Sequence, residues 1–326
     1  MIFGFNIICG ISDDLAADIL RNINLQVGQY SFETPINNPI RSIGINFAGA
    51  HYLRVNINAG VLISGKETLD IEFVKEPDFS ALDEKFRHSL YEIIRKANTD
   101  KLPSFSNWML WIMRYAMDIK VEHISETMKL FAKTNIPSAN LNPRNAIGMV
   151  KPFETYTAKY TAKTAKLEIY PKSELIKLKR IDYKNPVTPR DDSDIIRFYF
   201  QHKRSMMGYV KRLLNKFEID LWSPKSFLHP LVVTGAFTTE YLNTIGNGDF
   251  YKYETAVELI ENTVSNFQKR RTLIEVLKTG IGDKKTIKLL RDCGINGALI
   301  DPDMEFNYIK NPFDEIIKRC ENYIDK

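Results

Sequence analysis

The chain has 326 residues, an apolar content of 44% and a formal net charge of +5. That length holds one large domain or two ordinary ones, and the apolar content suffices for a sizeable core. No apolar run approaches the ~18 residues that would span a bilayer, and Cys9, Cys293 and Cys320 are too scattered for a zinc spacing, which fits a reducing cytoplasm.

In chain order, the opening MIFGFNIICGI lacks the basic start of a signal peptide and reads as a buried first strand over 2–9. A helix follows over 13–22, capped by Ser12 or Asp13, with Leu15, Ile19 and Leu20 on one face. From 41 to 64 the residues alternate, and Asn58-Ala59-Gly60 reads as a hairpin turn. Residues 80–97 form an amphipathic helix with Leu82, Phe86, Leu90, Ile93 and Ile94 inward. A long strand is expected over 107–121, a helix over 123–134, a loop over 135–150, and strands over 155–171 and 193–202. These elements predict an α+β fold, helices covering one face of an antiparallel sheet. The strand–helix–strand rhythm occurs twice, so a duplicated half-domain stays open. After residue 203 the character is helical, with helices expected at 203–217, 252–267, 268–278 and 284–292, and an acidic tail packing back. The expected division is an α+β domain over 1–203 and a helical DNA-binding or accessory domain over 204–326.

Side chains alternate along a strand. Leu167 and Ile169 take the core face, leaving Lys166, Glu168, Tyr170 and Lys172 on the other. Ile196, Phe198 and Phe200 go inward, leaving Arg197, Tyr199 and Gln201 together, and Arg114 shares a face with Asp118. If these strands are neighbours, one sheet surface presents Arg114, Asp118, Glu168, Tyr170, Lys172, Arg197 and Tyr199. Its bases neutralise phosphates and its tyrosines stack on nucleobases. A plain solvated sheet face is the alternative. From Arg197 to Lys216 there are six Lys or Arg and no Asp or Glu, among them Lys203, Arg204, Lys211 and Arg212. Residues 268–293 have the outline of a helix-turn-helix whose second helix turns Lys284, Lys285, Lys288 and Arg291 toward DNA, although two helices joined by a glycine turn also serve plain packing. The five histidines make no metal-ligand pair, and neither a phosphate-binding lysine loop nor a G-x-G-x-x-G is present.

Several segments, taken in order, resemble one group. MRYAMDI (113–119), TYTAK (155–159), LEIYPK (167–172), IIRFYFQ (195–201), GDFYKYETA (248–256) and CGINGALIDP (293–302) are similar to the motifs of Rep-trans rolling-circle replication initiators of Firmicute plasmids and phages. The resemblance implies a Rep-like sheet domain, binding to double-stranded or origin DNA, and a helicase or a second copy as partner. It also implies nicking by a tyrosine with Mg or Mn held by carboxylates. Carried over, the nucleophile is Tyr156 with Tyr160 as rival. Lys172 and Arg197 match the family's lysine and arginine, and Lys159 and Lys163 join the DNA contacts. Three family acids are replaced: they fall on Arg114, Pro171 and Tyr199. Asp118 and Glu168 are the remaining acids for a metal. The expectation is therefore a DNA-binding regulator whose nicking is lost or weakened; an active initiator is the alternative. The YTAKYTAK segment (156–163) also echoes the paired tyrosines of HUH endonucleases, without their histidine motif. A structural or protein-interaction module is the third class.

Overall fold

The β-branched and aromatic run at the start of the chain forms its first strand, and the alternating and amphipathic segments after it become strands and helices in turn. A computed structural model describes residues 2–31, 38–65, 78–94, 99–134, 158–161, 165–173, 194–203, 215, 223–280 and 282–324. In chain order these hold β1 (Ile2–Ile11), α1 (Asp13–Ile23), β2 (Tyr30–Ser31), β3 (Ile40–Phe47), β4 (His51–Asn58), α2 (Ala59–Ser64) and α3 (Phe79–Ile94). Next come β5 (Met109–Lys120), α4 (Ile124–Lys133), β6 (Ala158–Thr161), β7 (Ala165–Pro171), β8 (Ile195–Lys203), α5 (Pro224–Phe227) and α6 (Pro230–Thr244). The last are β9 (Phe250–Tyr251), α7 (Tyr253–Thr263), α8 (Phe267–Thr279), α9 (Lys284–Asp292), β10 (Tyr308–Ile309) and α10 (Phe313–Ile324). The fold class is α+β: antiparallel strands with helices, then a helical C-terminal region.

The chain divides into two compact units, each built from separate stretches: 1–116 with 201–236 and 323–326, and 117–200 with 237–322. The sequence reading instead drew a single cut at 203. In the first unit the strand order is β2-β3-β4-β1-β5. Antiparallel pairing of β1 with β4 runs from Gly4 opposite Asn58 to Ile11 opposite His51. Phe5, Ile7, Ile43, Ile45, Leu53, Val55 and Ile57 alternate onto one face and are buried. Leu15 and Ile19 of α1 and Leu82, Phe86 and Leu90 of α3 are buried as well. Ser12 is the cap of α1, accepting from the Leu15 amide at 3.3 Å. Gly44 faces Tyr30 across β2–β3, and a Cβ there would lie 2.4 Å from the tyrosine ring, so only glycine lets that ring lie flat on the sheet.

In the second unit the strand order is β5-β8-β7-β6. Leu167, Ile169, Ile196, Phe198 and Phe200 are buried, and Phe131, Phe198, Phe237 and Tyr241 pack edge to face. Helices α7, α8 and α9 enclose a smaller apolar cluster of Ala256, Ile260, Leu273, Leu277, Leu290 and Ile295. The acidic tail does pack back: β10 pairs with β9, the Phe306 ring lies against His123 at a tilt, and Asp301 pairs with Lys133.

Two expectations are corrected. Asn58 does not open a hairpin turn; its side chain accepts from the Val61 amide at 3.3 Å and caps helix α2. Asparagine suits turns and caps alike because it competes for backbone donors in either setting. Residues 155–171 are not one strand. β6 and β7 form an antiparallel pair that sets Tyr160 opposite Leu167 and Lys159 opposite Glu168. The helix expected at 203–217 lies outside the described residues apart from Asn215 and Lys203, which closes β8.

Candidate nucleic-acid interface

The second unit brings four of the expected residues together. β5 carries Asp118, its neighbour β8 carries Arg197, and the end of β7 delivers Tyr170 and Lys172. The Asp118 carboxylate accepts from Arg197 Nε at 2.6 Å and from Arg197 Nη2 at 2.8 Å, a bidentate fork. Lys172 Nζ lies 3.2 Å from Oδ2 of the same carboxylate. The Tyr170 hydroxyl hydrogen-bonds with Arg197. Glu168 and Tyr199 are half-buried and close enough to act electrostatically on Tyr170.

This corrects the picture of a polar face presented to solvent. Arg197 is 0% exposed, Lys172 4% and Tyr170 8%. Alternation assigned the face correctly but could not show that the face is covered. Burying a guanidinium costs several kcal/mol unless a counter-charge and hydrogen bonds compensate. Burial alone would lower the Arg197 pKa; the hydrogen bonds and charge of Asp118 outweigh it, and the net shift is upward. Burial likewise raises the Tyr170 phenol, Arg197 opposing, with Glu168, Tyr199 and Asp118 adding to the rise. Tyr170 is therefore held protonated at neutral pH and is a poor nucleophile.

Arg114 belongs to the first unit and makes a cluster of its own. Its Nη1 donates to Asn6 Oδ1 at 2.6 Å and Asn56 Oδ1 at 3.1 Å, and its Nε donates to Gln201 Oε1 at 3.0 Å. Gly4 lies opposite Arg114 in the register, and a Cβ there would meet the Ile57 carbonyl oxygen at 2.7 Å. Sequence reasoning missed Asn6 and Asn56. Their signal was the alternation itself, because Phe5-Asn6-Ile7 and Val55-Asn56-Ile57 each set an amide between two core residues.

The divalent metal implied by the family resemblance does not fit these residues. Both Asp118 oxygens are taken by cationic donors, and a dication would meet Arg197 and Lys172 at hydrogen-bonding range. Arg114 stands where the family has an acid, and it sits among amides. Among the described residues, no three of His, Cys, Asp and Glu converge.

The remaining candidates are dispersed. Tyr160 and Lys159 lie on β6, while Tyr156, Lys163, Arg204, Lys211 and Arg212 fall outside the described residues. Helix α9 is capped by Asp283, whose carboxylate accepts from the Thr286 amide at 2.7 Å. Lys284 begins the helix, and Lys285 and Lys288 are exposed, as expected. Arg291 is not turned outward: its Nη1 donates to the Leu242 carbonyl at 2.9 Å, and its guanidinium lies 2.6 Å from where a Cβ on Gly246 would sit. Partial burial lowers its pKa without removing its charge. Arg291 thus anchors α9 to the Leu242 carbonyl, where an outward-facing side chain was expected. No protein-family model matches the chain, and no curated protein gives a significant match.

Proposed function

We propose that the chain is a DNA-binding protein derived from a rolling-circle replication initiator, in which metal-dependent nicking is lost, acting in control of phage or plasmid replication or transcription. One observation carries the loss of nicking: the acid best placed to hold a metal, Asp118, is bound on both oxygens by Arg197 with Lys172 beside it. The lineage is supported by the order of the segments. MRYAMDI, LEIYPK and IIRFYFQ fall on β5, β7 and β8, which are neighbours in the order β5-β8-β7. Exposed Lys285 and Lys288 on α9 supply phosphate contacts as point charges.

The test is fluorescence anisotropy with duplex fragments of the DNA flanking its gene, with and without Mn²⁺. The reading expects binding that weakens steeply with salt and is unaltered by Mn²⁺. No binding at low salt would instead favour a protein-interaction module.

A further inference from the structure

The open face of the sheet in the first unit carries a feature that the Asp118 cluster does not use. Alternation that buries Phe5, Ile7, Leu53 and Val55 sends Ile8, Tyr52 and Arg54 to the opposite face. The pairing of β1 with β5 shifts register between Asn6 and Ile7, and the extra residue on β5 is Trp111. Together with Asn46 and Phe47 at the end of β3, these side chains line a pocket of about 410 Å³.

The chemistry of that pocket is one-sided. Its walls are aromatic, and two of them stand open to solvent: Phe47 is 61% exposed and Trp111 38%. Monomeric proteins rarely leave such rings clustered around a cavity without a use for them. Its polar groups include the N–H donors of Arg54 and Asn46, beside the Tyr52 hydroxyl, which can donate or accept. Asn46 Oδ1 already accepts from the Tyr30 hydroxyl at 2.9 Å, and its amide nitrogen carries two donors. Arg54 donates Nη1 to the Tyr30 oxygen at 3.0 Å and stacks its guanidinium 5.3 Å from that ring's centroid. Arg54 Nε is buried and has no hydrogen-bond partner among the described residues. None of the residues lining the pocket is a carboxylate. Asp13 of α1 is paired with His51, 2.8 Å away, and is not among the lining residues.

We infer that this pocket binds an unpaired nucleobase of single-stranded nucleic acid, stacked against Trp111 and Tyr52, with Arg54 and Asn46 donating to its edge. Flat aromatic walls recognise the π-face of any base. The N–H donors of Arg54 and Asn46 favour an edge rich in acceptors, which thymine offers through its two carbonyls, whereas the exocyclic amino group of adenine is a donor. The guanidinium also offsets the charge of the adjoining phosphate, so an anionic polymer is favoured over an apolar peptide. The inference is separate from the reading of Asp118.

The experiment uses the whole protein and fluorescein-labelled (dT)12 and (dA)12 single strands, followed by anisotropy. The expected result is tighter binding of (dT)12 than of (dA)12, lowered about tenfold or more by Trp111→Ala. Phe47→Ala, at an exposed position with no hydrogen bond to lose, should weaken (dT)12 binding in the same direction. Affinity for a blunt duplex should change little in both variants, which also shows that they are folded. Photocrosslinking with 5-bromouracil in place of thymine should label Trp111 or Tyr52. Equal (dT)12 affinity for wild type and both variants would overturn the inference. So would concentration-dependent self-association abolished by Trp111→Ala with (dT)12 binding untouched, since the rings would then be a docking face. Loss of duplex binding with (dT)12 binding intact would sink the proposed function and leave this inference standing.

Discussion

Asp118→Asn separates the two roles that the carboxylate could have. In the structure Asp118 neutralises Arg197, which is fully buried, and contacts Lys172, which is nearly so. An amide keeps the shape but loses the charge and turns one acceptor into a donor that faces cationic groups. Breaking a buried ion pair by removing one partner costs about 3–5 kcal/mol, because the other charge stays buried and uncompensated. In a cooperative unit of this size, 1 kcal/mol moves Tm by about 2–4 °C, so the unfolding midpoint should fall by roughly 6–20 °C. Differential scanning calorimetry without divalent metal reads this directly. Glu168→Gln is the control, since Glu168 is half-buried and not part of the fork. If Asp118 were a metal ligand waiting for its ion, removing its charge without metal would be neutral or stabilising. An unchanged or raised midpoint for Asp118→Asn would therefore refute the reasoning.

Further outcomes follow from the same structure. Buried His202, stacked on Tyr115, has its pKa lowered to about 4 by burial. Its contribution is complete above the ordinary value of 6.5 and is lost as pH falls toward 4, about 3 kcal/mol in all. Burial raises the Glu240 carboxyl from 4.5 to about 7, the opposite sign: stability is lost as pH rises across that interval, again by about 3 kcal/mol. Glu240→Gln should thus raise the Tm at pH 8 and leave it little changed at pH 4.5; an equal shift at both would contradict the assignment. Each phosphate neutralised adds about 0.9 to the slope of log affinity on log salt, so Lys285→Gln with Lys288→Gln should reduce that slope by about 1.8. An unchanged slope would take α9 away from the DNA. Arg291→Ala should destabilise the fold by about 1.5–3 kcal/mol, the worth of a hydrogen bond from a charged group, while the ranking of DNA sequences by affinity stays the same. A change in that ranking would return Arg291 to the recognition surface.

Much of this was legible where local rules agree. Helix α9 carries its inward Leu290 and the exposed Lys285 and Lys288 in nine residues, and α3 shows a plain helical period. The adjacency of β5, β7 and β8 was suggested by their matching polar faces and is what the sheet order contains. Other features were not legible, for physical reasons. The run from Tyr156 to Lys172 has no glycine or Asn-Gly signal, so nothing in it announced the break between β6 and β7. Alternation gives the face of Arg197 but not its cover, and burial is a tertiary property. Arg291 stands at a helix position that serves either solvent or core, and its choice is decided by the Leu242 carbonyl, 49 residues away. Asn58 obeyed a cap rule where a turn rule fitted equally well.

The most direct test of the central claim is a topology assay. Supercoiled plasmid carrying the DNA that flanks the gene is incubated with the protein and Mg²⁺ or Mn²⁺, then resolved with and without protease. With Asp118 committed to Arg197 and Lys172, the account predicts that the DNA is bound and stays supercoiled, with no protein attached to an end. Efficient conversion to open circle with covalently linked protein, abolished by Tyr156→Phe or Tyr160→Phe, would contradict it.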